Sequence, residues 1–199
     1  MRDRRIAGKA ALASVTGSHV CPWWLCFTFD NVFRRLVQNP YRILVPFVYD
    51  GNTALDVGAG MGYFAIPMAK MVGVNGLVIA VDIQEKMLSA LKRRAERSDL
   101  RERIIFQLCS RDTLGIDAKV DFILAFWMVH EVPNKQRLFL ELITVLKEKG
   151  SFLLVEPTIH VTKAAFEETA RSAERAGFIP RDNPRIFMSR SALIEKAES

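Results

Sequence analysis

The sequence has few cysteines and no long apolar run, and these two absences argue against a disulfide-stabilised protein and against a membrane-spanning one. Its 199 residues include only three cysteines, which is too few and too odd a number for a disulfide framework. We therefore expect a reducing, cytoplasmic setting. Every uncharged apolar run falls short of the roughly 18 residues that span a bilayer, so we expect no membrane partner.

The N-terminal residues and the net charge bear on export and on nucleic-acid binding, and they are less decisive than the two absences above. Arginines followed by apolar residues open the sequence, but Lys9 interrupts the apolar part and no clean cleavage site follows, so we expect no export. The net charge of +6 permits nucleic-acid binding without requiring it. Basic residues between Lys92 and Arg103 alternate with acidic ones, as on a solvated helix face. Basic composition is only a weak indication of nucleic-acid binding, so nucleic acid is an unfavoured partner that stays open.

The organisation of the chain changes after Gly51. From there, short apolar runs alternate with helical stretches, a pattern that predicts an α/β fold with a parallel sheet and crossover helices. We predict residues 1–50 as an N-terminal lid or extension and residues 51–199 as the α/β domain. The predicted strands are 54–57, 77–81, 104–108, 121–126 and 151–156, then one opening at 177 and one over 187–196. The predicted helices are 63–72, 84–97, 135–146 and 163–176.

The most informative motif is LDVGAGMG, in which an apolar run ends in Asp56 and glycines follow at positions 58, 60 and 62. Glycine suits positions where the backbone takes positive φ or lies directly against a ligand. A second apolar run ends in Asp82, and a carboxylate about 20 residues beyond a glycine turn can accept both hydroxyls of a ribose. Together these features predict a nucleoside pocket at the carboxyl ends of parallel strands.

This G-x-G-x-G spacing, with Asp56 two residues ahead of the first glycine, resembles motif I of the class I S-adenosylmethionine-dependent methyltransferases. It differs from the G-x-G-x-x-G fingerprint of dinucleotide enzymes, which disfavours a nicotinamide dehydrogenase. The resemblance covers residues 50–199 and implies a Rossmann-like, mostly parallel sheet of seven strands. The implied order is 3-2-1-4-5-7-6, with strand 7 antiparallel, helices on both faces and an N-terminal helical lid.

The resemblance implies S-adenosylmethionine as cofactor and assigns contacts position by position. The glycine loop lies against the methionine part, Asp82 holds the ribose, and Ile83 packs on the adenine. Where the family often has an acidic residue after strand three, this chain has Ser110 and Arg111, followed by Asp112. The expected cofactor residues are Asp56, Gly58, Ala59, Gly60, Met61, Gly62, Phe64, Asp82, Ile83, Ser110, Arg111, Phe126 and Trp127.

The segment FWMVHEVP after strand four resembles small-molecule methyltransferases of the ubiquinone-biosynthesis and arsenite types. It lacks the N/D-P-P-Y/F tetrad of the enzymes that methylate amino groups of DNA or protein glutamine. We expect Phe126 and Trp127 near the sulfonium, because an aromatic face attracts a cation. A general base is needed only if the acceptor loses a proton as it attacks. His130 is the candidate for that catalytic role, with a packing or capping histidine as the alternative.

The least family-like segment carries Cys21, Trp23, Trp24 and Cys26, which we interpret as an apolar lid that contacts the substrate. Acceptor recognition by a thiolate, or binding of a soft metal or metalloid, are the alternatives. Two thiols fall short of the four ligands of a structural zinc site, and we predict no metal. His160, after strand five, is a further candidate substrate contact, with an exposed loop histidine as the alternative.

These features lead to one expected function and two alternatives. We expect an enzyme that transfers a methyl group from S-adenosylmethionine to a small-molecule acceptor, whose identity the sequence leaves open. The first alternative is an RNA or protein methyltransferase. The second is a non-catalytic protein that binds S-adenosylmethionine and docks a partner.

Overall fold

The computed structural model describes residues 37–197, which form one twisted sheet with helices on both faces. The strands are β1 (Thr53–Val57), β2 (Leu77–Asp82), β3 (Ile104–Leu108), β4 (Val120–Phe126), β5 (Leu146–Pro157), β6 (Phe178–Asp182) and β7 (Ser189–Lys196). The helices are α1 (Pro40–Leu44), α2 (Ala65–Met71), α3 (Glu85–Arg97), α4 (Lys135–Val145) and α5 (Lys163–Arg175). Two short 3-10 turns, Arg101–Arg103 and Val129–Glu131, complete the described elements.

The seven strands follow the order β3-β2-β1-β4-β5-β7-β6. β7 runs antiparallel to both β5 and β6, and the other neighbouring pairs are parallel. The predicted topology is therefore confirmed. In this arrangement the carboxyl ends of β1, β2, β4 and β5 meet along one edge of the sheet, where the loops that carry chemistry begin.

Two apolar clusters, one on each face, hold the helices to the sheet. Ala54 of β1 packs in the cluster that includes α2 and α3, whereas its neighbour Leu55 packs in the cluster that includes α4 and α5. Successive strand side chains point to opposite faces. A central strand covered on both faces therefore needs an unbroken apolar run, as β4 has from Phe122 to Phe126.

β5 begins earlier than predicted. The sequence places its start at residue 151, whereas the strand starts at Leu146, directly after α4. Leu146 is buried and pairs with Val120 of β4, while the three residues that follow it are exposed. The sequence predicts a helix up to residue 146 and no element over 147–150, and pairing across the sheet overrides those local patterns.

The first described helix packs onto the domain. Asn39 caps α1 by accepting from the N–H of Tyr41, and Pro40 occupies its first turn, where a missing N–H costs nothing. Beyond the helix, the ring of Phe47 stacks on Phe122 of β4 with centroids 5.6 Å apart. The predicted division at residue 50 stays a prediction. No helix within residues 37–197 has the length and apolar character that a membrane crossing requires.

Candidate active site

The glycine loop between β1 and α2 uses its three glycines for two purposes. All three have positive φ, at +72° for Gly58, +54° for Gly60 and +87° for Gly62. A Cβ on Gly58 would lie 3.0 Å from Met128, and one on Gly62 would lie 2.1 Å from Leu91. These two glycines therefore permit close packing. A Cβ on Gly60 would have no atom within 4 Å, so its backbone faces open space where a ligand can approach.

Asp82 ends β2 with its carboxylate held by backbone amides. Oδ2 accepts from the N–H of Gly60 and Oδ1 from the N–H of Gln84, both at 2.8 Å. Burial raises the pKa of Asp82, and these N–H groups oppose that shift. Because a carboxylate offers about four acceptor positions, the two amides fix its orientation and leave capacity for the hydroxyls of a ligand.

Asp56 lies at the other end of the same motif and is almost completely buried. Its Oδ2 is the only buried side-chain oxygen or nitrogen in residues 37–197 without a hydrogen-bond partner. Burial, with the charge of Asp82 next, raises the pKa of Asp56 to about 7, although the N–H of Ala65 counteracts them. A buried acceptor left unpaired is rare in native proteins, and a proton or a ligand donor would satisfy it.

A cavity of about 140 Å³ opens beside Asp82. Its walls come from the ends of β1 and β2, the loops after β3 and β4, and α4. Five predicted cofactor residues line it, namely Gly58, Asp82, Ile83, Ser110 and Arg111. The carboxylate of Asp82 and the apolar side chains of Ile83 and Leu114 fit an adenosine, and Gly60 is bound to the same carboxylate through its N–H. The residues present therefore suit the nucleoside part of the implied cofactor.

The loop after β3 is fastened by contacts that the motif did not indicate. Ser110 Oγ accepts from the N–H groups of Asp112 and Thr113, both at 3.2 Å, so its hydroxyl stabilises the loop itself. Glu141 of α4 accepts from the N–H of Leu114 at 2.7 Å. Glu141 is 27 residues from Leu114 and has no local sequence signal, so only the structure reveals this anchor of the cavity wall.

Four predicted cofactor residues support the site from behind. Ala59, Met61, Phe64 and Phe126 are all buried and none lines the cavity. The rings of Phe64 and Phe126 lie 4.5 Å apart, which joins the glycine loop to the end of β4. The carbonyl of Met61 accepts from Arg94 of α3 at 2.9 Å.

Trp127 turns the chain at the end of β4. Its φ is +59°, a value that non-glycine residues rarely adopt and that is concentrated at functional sites. The N–H of Trp127 donates to Val155 of β5 at 2.7 Å, and the indole Nε1 donates to Ser189 of β7 at 3.0 Å. The ring is thus held against Phe126, with centroids 5.5 Å apart.

Glu156, near the end of β5, pairs with His130, which lies in the 3-10 turn after β4. Oε1 of Glu156 accepts from the backbone N–H of His130 at 2.8 Å, and Oε2 lies 2.6 Å from its ring Nδ1. The Glu156 side chain is fully buried, whereas that of His130 is 26% exposed. Burial lowers the pKa of His130, but the hydrogen bond and charge of Glu156 outweigh it, so the pKa is raised.

The structure also brings the two predicted histidines together. The exposed ring of His160 lies 6.2 Å from the ring of His130 and nearly parallel to it. The other predicted substrate residues, Cys21, Trp23, Trp24 and Cys26, lie outside the described residues. Within residues 37–197, no group of three or more His, Cys, Asp or Glu side chains is arranged to hold a metal ion.

Comparisons with known proteins show which family the chain resembles in sequence. Residues 49–183 match the family described as methyltransferase domain. An arsenite methyltransferase from Halobacterium salinarum is 33% identical over 101 residues, which are 50% of this chain and 26% of that protein. A demethylmenaquinone methyltransferase from Lactobacillus johnsonii is 30% identical over 123 residues, 59% of this chain and 50% of that protein. The matched region thus spans half or less of these relatives.

The fold is shared with solved structures as well. A SAM-dependent methyltransferase from Aquifex aeolicus superposes with a TM-score of 0.78 at 22% identity, covering 87% of this chain and 97% of that one. The family match spans more than half of the chain, and motif I and the sheet order agree with it. The chain therefore belongs to the methyltransferase domain family and has the fold of the class I S-adenosylmethionine-dependent methyltransferases.

Proposed function

We propose that this chain transfers the methyl group of S-adenosylmethionine to a small molecule. The observation that carries the proposal is the His130–Glu156 pair beside Trp127, which occupies the edge of the sheet where amino-directed enzymes carry their N/D-P-P-Y/F tetrad. The names of the relatives support it, since arsenite and demethylmenaquinone methyltransferases act on small molecules.

In this proposal the cofactor lies across the ends of β1 and β2. Asp82 accepts the ribose hydroxyls, the open backbone at Gly60 lies against the ligand, and Ile83 contacts the adenine. Ser110 and Arg111 line the same cavity and complete its adenine end. Phe126 and Trp127 hold aromatic rings near the end of β4, where such a face attracts a cation.

Bound S-adenosylmethionine supplies a methyl group already activated by its sulfonium. The chain then has to orient the acceptor and exclude water, and orientation of this kind supplies about 7–11 kcal/mol of a barrier. His130 is the group in the described residues best placed to accept a proton from the acceptor. We assign acceptor contacts to His160 and to the segment with Cys21, Trp23, Trp24 and Cys26.

We also propose a cytoplasmic location, because three cysteines are too few for the disulfide framework that is typical of proteins in an oxidising compartment.

Cys109 is free and half-buried beside the cavity. Burial, followed by the charge of Asp82, raises the pKa of the Cys109 thiol to about 11. Its thiol therefore stays protonated and unreactive.

The test is methyl transfer from tritiated S-adenosylmethionine to a cell extract separated into small-molecule, RNA and protein fractions. We expect label in the small-molecule fraction with the wild-type chain and little with Asp82→Ala. Glu102→Ala, an exposed acidic residue outside the cavity, is the matched control. Label in RNA or protein would support those acceptors instead. Binding without label in any fraction would favour a non-catalytic protein.

A further inference from the structure

We propose that the acceptor nucleophile is the hydroxyl of a phenol-like molecule and that His130 Nε2 takes its proton. This inference rests on the proposed function and deepens it, because it selects one class of acceptor. Arsenic and thiolate acceptors carry a free electron pair and need no base. A hydroxyl must lose its proton as it attacks, so a built base at the acceptor side favours an oxygen acceptor.

The hydrogen bonds of Glu156 determine which ring nitrogen of His130 can accept a proton. Glu156 is fully buried and binds both the backbone N–H and the ring Nδ1 of His130. A carboxylate at Nδ1 keeps the proton on that nitrogen, so the neutral ring presents Nε2 with a free electron pair. The same logic orients the catalytic histidine of the Ser-His-Asp triad.

The groups around His130 come from three elements besides its own. Glu156 contacts it from β5, the ring of His160 faces it from the loop after β5, and the charge of Lys135 acts on it from the start of α4. Glu131, in the same 3-10 turn, has Oε1 at 4.0 Å from Nε2. Two carboxylates and one lysine leave a net negative surrounding, which stabilises the imidazolium that proton transfer creates.

An apolar rim next to the histidines suits a ring rather than a charged acceptor. Ile159, Phe187 and Met188 are 72%, 54% and 51% exposed, which is high for such side chains. The two loops that carry them are joined, because the N–H and the hydroxyl of Thr158 both donate to the carbonyl of Met188, at 3.0 and 3.1 Å. An aromatic ring can lie against this rim while its hydroxyl reaches the histidine.

The reaction balances with the groups named. The acceptor O–H bond breaks and its proton goes to Nε2 of His130. The oxygen forms a bond to the methyl carbon. The bond between that carbon and the cofactor sulfur breaks, with its electron pair remaining on sulfur. The cationic charge thus passes from the sulfonium to the imidazolium beside Glu156, and the proton leaves through the exposed part of the His130 ring.

The test compares phenol with 4-nitrophenol, which is already largely ionised in mildly alkaline buffer. For the wild-type full chain we expect methylation of phenol to rise with pH. His130→Asn should slow transfer to phenol by about 100-fold or more, the range of a general base, but transfer to 4-nitrophenol by less than about tenfold. Calorimetry of S-adenosylmethionine binding to each variant checks that its cofactor site is intact.

A second variant distinguishes a base from a packing residue. Glu156→Gln removes the charge that raises the pKa of His130, so the rising limb of the pH profile should move to lower pH. A structural role alone would lower the rate without moving that limb. Glu167→Gln, an exposed carboxylate on α5 that pairs with Lys163, is the matched control and should leave the profile unchanged.

Three results would count against the inference. Equal slowing of both phenols by His130→Asn would overturn it, and so would methylation of thiophenol or arsenite with neither phenol modified. In both cases the proposed function would stand. Absence of S-adenosylmethionine binding to the wild-type chain would overturn the inference and the proposed function together.

Discussion

Two buried carboxylates at the same edge of the sheet differ in their hydrogen bonding. Glu156, at the end of β5, has both oxygens bound by His130. Asp56, in β1 beneath the glycine loop, has an oxygen with no partner among residues 37–197. Both are almost inaccessible to solvent. Burial therefore does not by itself decide whether a carboxylate oxygen has a hydrogen-bond partner; the donors that face it do.

The same contrast applies to the two regions that we propose for the cofactor and for the acceptor. Backbone groups shape the first region, and side chains shape the second. The cofactor region depends on positive φ at glycines and on amides that hold Asp82. The acceptor region depends on one ion pair that joins the loop after β4 to the end of β5. We expect the first region to respond to steric changes and the second to changes of charge.

The largest effect should follow removal of the satisfied carboxylate. Glu156→Ala leaves the N–H and ring of His130 without their acceptor, and the loss of each hydrogen bond to a charged group costs about 1.5–3 kcal/mol. Urea unfolding should show this loss in the free energy of unfolding. Glu167→Ala, which removes an exposed ion pair with Lys163, should cost at most about 1 kcal/mol. Similar losses of unfolding free energy for both variants would contradict the stabilising role that we assign to the hydrogen bonds of Glu156.

Substitutions of two glycines in the same loop should differ in their effect on stability. Gly62→Ala places a methyl group 2.1 Å from the buried Leu91, so we expect about 2–5 kcal/mol of lost stability from overpacking and left-handed strain. Gly60→Ala meets open space and should cost only the strain, about 1–2 kcal/mol, while weakening S-adenosylmethionine binding. Equal losses of stability would contradict our division of the loop.

The next effect is on cofactor affinity. Asp82→Ala should weaken S-adenosylmethionine binding by about 1.5–3 kcal/mol, the range for hydrogen bonds to a charged group. Calorimetric titration measures it, with Glu102→Ala as the control that should bind normally. Unchanged affinity in Asp82→Ala would mean that the ribose lies elsewhere.

The same contrast predicts two separate pH windows of stability. The pKa of Asp56 rises from 3.8 to about 7 on folding. The native state therefore keeps a proton that the unfolded chain releases, and the stability gained below pH 3.8 is lost as the pH approaches 7. The pKa of His130 is raised above 6.5, so its contribution is complete below 6.5 and is lost at higher pH.

Thermal unfolding across pH distinguishes the two windows. The stability of the wild type relative to Asp56→Asn should fall between pH 3.8 and about 7. Relative to His130→Asn it should fall only above pH 6.5. A single shared window for both variants would show that the two regions do not titrate separately.

The sequence predicted the central strands and the glycine loop well because both depend on local patterns, whereas the confirmed sheet order was implied by the family resemblance. Apolar runs mark central strands wherever both faces are covered, and glycine at alternate positions marks a backbone that must turn. The predicted start of β5 was five residues late, because Leu146 joins the sheet through its pairing with Val120. No local signal in a run of lysine and glutamate indicates that pairing.

The acceptor region was less predictable for the same reason. His130 was predicted as the candidate catalytic histidine after β4, but its partner Glu156 lies 26 residues away, and no local pattern indicates that the two side chains meet. Glu141, which fastens the cavity wall, gave no signal at all. Contacts between distant elements decide these roles, and a single sequence does not display them.

The most direct test of the account is calorimetric titration of the wild-type chain with S-adenosylmethionine, S-adenosylhomocysteine and NAD in parallel. We predict that the two adenosyl ligands bind with micromolar affinity, about −8 kcal/mol, and that NAD does not bind. Binding of NAD, or of none of the three, would contradict the assignment of the glycine loop and Asp82 to S-adenosylmethionine.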